Sequence, residues 1–119
     1  MYLHRHIVLG NGRSPELAGV IDGEVYNAGR LRRFGYAEIT ASCDGMICEK
    51  GGRVRVHEFH YWDSTACGED FTAVKRDGRS WSCGYNTKNL YAGFPHLYFY
   101  ARPEMAARFA ECCRRAESG

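Results

Sequence analysis

Residues 53–60 read RVRVHEFH, and this alternation is the tightest constraint the sequence places on its own fold. Successive side chains of a β-strand point to opposite faces, so Arg53, Arg55, His57 and Phe59 share one face. Val54, Val56, Glu58 and His60 share the other. One valine-lined face requires a core on that side, and an arginine-lined face requires water on the other. The preceding Lys50-Gly51-Gly52 reads as a tight turn and Met46–Glu49 as the partner strand, which predicts a hairpin.

The rest of the chain follows the same style. Fourteen glycines punctuate short runs rich in aromatic and β-branched residues, which favours strands over helices. GVIDGEVY (19–26) predicts a short strand with a turn at Asp22-Gly23. LRRFGYAEITAS (31–42) predicts a helical turn passing through Gly35 into a strand at 36–40. FTAVKRDGRSWSC predicts a second hairpin, turning at Asp77-Gly78, and LYAGFPHLYFYA (90–101) predicts another extended segment. Only residues 102–117 carry helical periodicity, with Pro103 suited to a first helical position and Met105, Phe109, Cys112 and Cys113 recurring near helical spacing. At 119 residues, without repeats or linkers, a single domain spanning 1–119 is expected: a run of strands closed by a helix.

Charge and cysteine usage narrow the function classes. A net charge of +2 with mixed signs argues against nucleic acid and anionic membranes as partners. No apolar run approaches the roughly 20 residues that cross a bilayer, and MYLHRHIVLG is too polar for a signal peptide, so a cytoplasmic location is expected. Six cysteines at irregular spacings, without a secretory signal, are expected to be free thiols. Cys43 and Cys48 find no second close pair to complete a zinc site, and no metal site is expected.

Histidine is the natural candidate for acid–base work because it titrates near neutral pH. HEFH is not the HExxH zinc motif, which needs helical spacing; on a strand His57 and His60 point apart. His96, in AGFPHLYFY, is the other candidate: a general base, or a hydrogen-bonded packing residue beside aromatics. A base needs a nucleophile. A nucleophile elbow demands small residues two places either side, and Cys67 and Cys83 fail that test. Cys43 passes it, flanked by Ala41 and Gly45, but the strand and turn that follow offer no helix N-terminus to lower its pKa. It reads better as a turn cysteine, leaving a base without a convincing nucleophile.

The order RVRVHEFHY, then Gly84-Tyr85, then NLYAGFPHLYF, then an amphipathic helix resembles the C-terminal half of the glutamine amidotransferase domain of the cobyrinic acid a,c-diamide synthase family. That family shows a strand like LRGHEFHYS and a later segment like NVLASYLHLHF. GVIDGEV, LRRFGYAEI and even MYL, which is similar to part of the family's ECGGFMYLG nucleophile motif, extend the resemblance over roughly residues 1–115. It implies an α/β fold: the strand-rich C-terminal half of a class I glutamine amidotransferase (flavodoxin-like) domain, ending in a helix. It also implies a chemistry in which a cysteine thiolate attacks the amide of glutamine, forms a thioester and releases ammonia, with a histidine as proton acceptor and donor. His96 aligns with that histidine, and His57, Glu58 and His60 lie near the site by the same resemblance.

The departures are as informative. The nucleophile cysteine is expected just ahead of Met1, so the chain by itself is expected to be inactive. Tyr98 stands where the family has its second histidine and supplies no charge to orient a base. Val56 replaces the glycine before HEFHY. No GxxxxGK[ST] loop is present, so ATP and magnesium are expected only in the family's synthetase domain. Expected partners are glutamine and a complementary N-terminal half or synthetase domain. The rival expectation is a non-catalytic binding or scaffold module, whose exposed sheet edge would favour a homo-oligomer, a dimer first.

Overall fold

β1 (His4–Val8) and β2 (Ile21–Asn27) pair in parallel, so the chain must return to its starting end between them. It does so without a helix. Leu9 and Arg13 close a tight turn, with Gly12 at φ 78°, where a side chain would be strained. Residues 15–17 then run back along the outer edge of β1, through hydrogen bonds of Ile7 to Pro15 and Leu17 to Arg5. β2 is continuous through Asp22-Gly23, where the sequence had suggested a turn. Gly23 keeps an ordinary φ, and a Cβ there would press on Ala66, so close packing rather than turning is what it serves.

In the computed structural model, which describes residues 1–119, two compact units are present. Residues 1–34 and 59–67 form the first; residues 35–58 and 68–119 form the second. β3 (Arg33–Ala41) is a strand from its first residue. The helical turn expected before Gly35 is absent, and Gly35 sits inside the strand at φ 100°. β4 (Arg53–His60) is its neighbour. Residues 42–52 between them form a loop, so the strand expected at 46–49 is absent, while the tight turn expected at Lys50-Gly51-Gly52 is present, closed by Gly52 N–H donating to the Glu49 carbonyl with Gly51 at φ 81°. β5 (Trp62–Ser64) pairs antiparallel with β2 and completes the three-stranded sheet of the first unit.

The second unit holds a five-stranded sheet with order β10-β4-β3-β6-β7. β6 (Phe71–Val74) and β7 (Ser80–Cys83) form the hairpin expected at Asp77-Gly78, with Gly78 at φ 85°. β8 (Tyr85–Asn86) and β9 (Tyr91–Ala92) make a small separate pair. β10 (His96–Leu97) adds to the free side of β4, and a short 3₁₀ turn (Phe99–Ala101) leads to α1 (Pro103–Glu117). Pro103 opens that helix as expected. The architecture is strand-rich α/β with a single C-terminal helix.

Alternation is carried through this sheet. Ala37, Ile39, Ala41, Val54, Val56, Phe71, Ala73 and Cys83 all turn inward and meet Met105 of α1 and Ile47 and Cys48 of the 42–52 loop. Arg53, Arg55, Tyr36 and Glu38 turn outward.

The loop is shaped by Asn86, which is fully buried. Its Oδ1 accepts from Ile47 N–H (3.2 Å) and its Nδ2 donates to the carbonyls of Cys43 (3.3 Å) and Cys48 (3.0 Å). Asp70 fixes the Asn86 main chain by accepting its N–H at 2.7 Å. Gly45 lies so close to Asn86 that a Cβ would collide with the Asn86 main chain and side chain. Arg108 reaches from α1 to the Gly45 carbonyl (2.7 Å). Arg102 ties Glu49, Glu104 and the Arg53 carbonyl together where α1 begins. Asn86→Ala leaves a buried N–H and two carbonyls without these bonds. It is expected to cost about 3 kcal/mol, read as a lower urea midpoint; a midpoint within error of the parent would show that the clamp is dispensable.

Candidate functional site

His96 and His57 are brought together by register, not by sequence. β10 and β4 are antiparallel with His96 directly opposite His57, so both side chains emerge on the same face of the sheet. Their ring centroids are 6.1 Å apart with planes inclined by 46°. This is the outward face: His96 is exposed and His57 half-buried. Tyr36 of β3 packs edge-on against His57 with centroids 5.1 Å apart, limiting where that ring can swing.

The remaining motif residues go elsewhere. Glu58 turns to the inward face and is buried. It lies among the groups around Tyr91, whose phenol pKa is driven upward by burial first, then by Cys83, Cys48 and Glu58. The Tyr91 hydroxyl donates to the Pro95 carbonyl at 3.3 Å, which fixes the residue before His96. His60 belongs to the first unit, where its Nδ1–H donates to the Trp62 carbonyl at 2.7 Å. Tyr98 is exposed beyond the end of β10, its ring 5.7 Å from that of Tyr100.

Cys43 sits in the 42–52 loop, where no helix follows it and no non-glycine residue of the chain has positive φ, so there is no strained elbow. Its thiol points at the Asn86 carbonyl (3.5 Å). Desolvation and then the Asp70 carboxylate push its pKa above the ordinary thiol value, which suppresses the thiolate that a nucleophile requires. No disulfide joins the six cysteines, and no three His, Cys, Asp or Glu side chains gather into a metal-holding cluster.

One polar constellation had no signal in the sequence. In the first unit, His4 Nε2 meets Ser64 Oγ at 2.6 Å, while its Nδ1 faces the Met1 carbonyl at 3.0 Å. Because a carbonyl can only accept, the proton is assigned to Nδ1, and Nε2 accepts from the serine. Ala66 N–H donates to the same hydroxyl. The contact has the geometry of a nucleophile–base pair, yet His4 is 5% and Ser64 9% exposed, which shuts substrate out. It is a packed hydrogen-bond pair, joining residues 60 positions apart. Beside it, Asp63 accepts from Ser64 N–H and pairs with Arg32, and Cys67 donates to it.

No family model and no solved structure matches the chain. Curated proteins do. It is 35% identical over 116 residues to a cobyrinate a,c-diamide synthase of Caldanaerobacter subterraneus subsp. tengcongensis, covering 95% of this chain and 26% of that protein. It is 42% identical over 105 residues to the Fusobacterium nucleatum synthase, covering 84% of this chain and 22% of the relative. The Salmonella typhimurium synthase is 35% identical over 120 residues, covering 97% and 26%. The resemblance read from HEFHY and the segment around His96 therefore holds: the chain is a relative of these synthases and spans about a quarter of their length.

The His4 and Asp63 environments set a pH dependence. Burial holds His4 below its ordinary value of 6.5, opposed by the Met1 carbonyl. Its contribution to stability is therefore full above pH 6.5 and is lost as pH falls from there toward the folded-state value. Burial alone would raise Asp63, but Ser64 N–H and Arg32 outweigh it and leave it below 3.8, so its contribution is lost only as pH falls beneath 3.8. Thermal midpoints are expected to fall between pH 7.5 and 5, and to fall less in His4→Gln. Equal slopes in both proteins would remove His4 as the cause.

Proposed function

We propose that this relative of part of cobyrinate a,c-diamide synthase serves as a portion of a class I (flavodoxin-like) glutaminase domain, supporting glutamine-dependent amidation of a corrinoid carboxylate. The observation that carries the reading is the similarity over 95% of the chain, together with His96 standing exposed on its own strand against the HEFHY strand.

In this reading the nucleophile is not Cys43, whose thiol is held protonated. A cysteine thiol supplied from outside these residues passes its proton to His96 and, as the thiolate, attacks the side-chain carbonyl carbon of glutamine, generating an oxyanion. His96 gives a proton to the departing nitrogen, so that ammonia leaves and a thioester remains. It then takes a proton from the water that attacks the thioester, releasing glutamate and the thiol. His57, opposite on β4, is the nearest second imidazole on that face. The ATP and magnesium of the amidation step belong to the synthetase region, because this chain offers no Gly-rich phosphate loop.

Ammonia release from glutamine is expected to be negligible for the chain alone and to appear on mixing with a separately made segment carrying the family's GxCGG sequence. His96→Ala is expected to lower the mixture's turnover by about 10²–10⁴-fold. Undiminished turnover in His96→Ala would overturn the assignment of the base, and activity in the unmixed chain would return Cys43 to consideration.

A second reading, a self-associating or scaffold module, draws on the outermost position of β7 in its sheet and on the exposure of Tyr36, Tyr98 and Tyr100. It expects a dimer by light scattering at high concentration. A monodisperse monomer would count against it.

A further inference from the structure

We propose that the cross-strand pair His57 and His96 forms a two-imidazole site for a late divalent transition-metal ion such as Ni²⁺, Zn²⁺ or Cu²⁺. The inference stands on the geometry of the pair and does not depend on the glutaminase reading.

Positions directly opposite each other on antiparallel strands hold their Cβ atoms about 4.5–5.5 Å apart on one face. Two imidazoles on a single ion, at metal–nitrogen distances of about 2.0–2.1 Å, place their ring centres about 5.3 Å apart at a tetrahedral angle and about 4.5 Å apart at the right angle that Ni²⁺ and Cu²⁺ favour. The observed separation is 6.1 Å, a gap that rotation about the side-chain bonds of a directly opposed pair can narrow. Tyr36, edge-on to His57, narrows the conformations from which that rotation starts. The exposure of His96 gives an ion a route in.

The surroundings select the kind of ion. No third His, Cys, Asp or Glu completes a cluster, so water fills the other positions and binding is exchangeable rather than structural. Arg55 holds the next outward position on β4, which disfavours a cation attracted by charge alone. The affinity must come from nitrogen donation, which Ni²⁺, Zn²⁺ and Cu²⁺ accept from imidazole and Mg²⁺ does not. The sequence obscured this site because the adjacent histidines, 57 and 60, diverge, while the converging pair is joined only by the register of β10 on β4.

The test is calorimetric titration of NiCl₂ into the chain carrying Cys113→Ser, which removes the exposed thiol as a competitor. One equivalent is expected to bind, with MgCl₂ silent. Because loss of one arm of a chelate forfeits its effective concentration, His57→Ala and His96→Ala are each expected to weaken binding about a hundredfold. His6→Ala should leave it unchanged. As a measurement on the unsubstituted pair, substoichiometric Ni²⁺ should broaden the ring-proton NMR signals of His57 and His96 together, ahead of His6 and His60. Equal affinity in either His→Ala variant, or broadening of only one of the two rings, would overturn the proposal.

Discussion

The second unit depends on one side-chain amide. Asn86 substitutes for a β-ladder: it supplies a carbonyl and two N–H donors to a loop that has no strand partner there, and it is buried while doing so. A buried main chain without such partners costs more than its packing returns. With Asn86 in place, residues 43–48 can lie against the sheet and present Ile47 and Cys48 to the core. Gly45 and Arg108 are the two accommodations, one giving room and the other capping the Gly45 carbonyl. The inward face of the sheet is covered by this loop and by Met105, which leaves the outward face to carry His57 and His96.

How far the sequence foretold this varies with the range over which each signal acts. β4 was legible because strict alternation needs only its own residues and a core on one side. The β6–β7 hairpin was legible from Asp77-Gly78, and α1 from Pro103, for the same reason: the information is local. The segment 46–49 misled because its apolar residues suit a strand, whereas the amide that binds it comes from some forty residues further along. Asp22-Gly23 misled because a glycine needed for proximity to Ala66 looks, in sequence, like one needed for turning. The same holds at the site. The opposed faces of His57 and Glu58 were legible from alternation, but the partnership of His57 with His96 was not, since strand register over that separation is not written in either segment.

Kinship and geometry bear on different links. Identity to synthases from several bacteria places the chain among relatives of that family. Geometry adds how the motif is distributed. His57 joins His96 on the outward face, Glu58 turns into the core near Tyr91, and His60 is fixed by the Trp62 carbonyl in the other unit. A compact string of five residues thus serves three surroundings.

β10 is two residues long and sits at the margin of its sheet. Opening a ladder this short breaks few bonds, with Leu97 the apolar side chain it must lift from the core, so its free energy is expected to lie below that of global unfolding. His96 is therefore anchored to a segment expected to open more readily than the strand of Ile39, which is wholly buried. In hydrogen-exchange terms the amides of residues 96–97 are expected to exchange faster than that of Ile39. The more exposed imidazole of the pair is thus also the one held by the shorter strand.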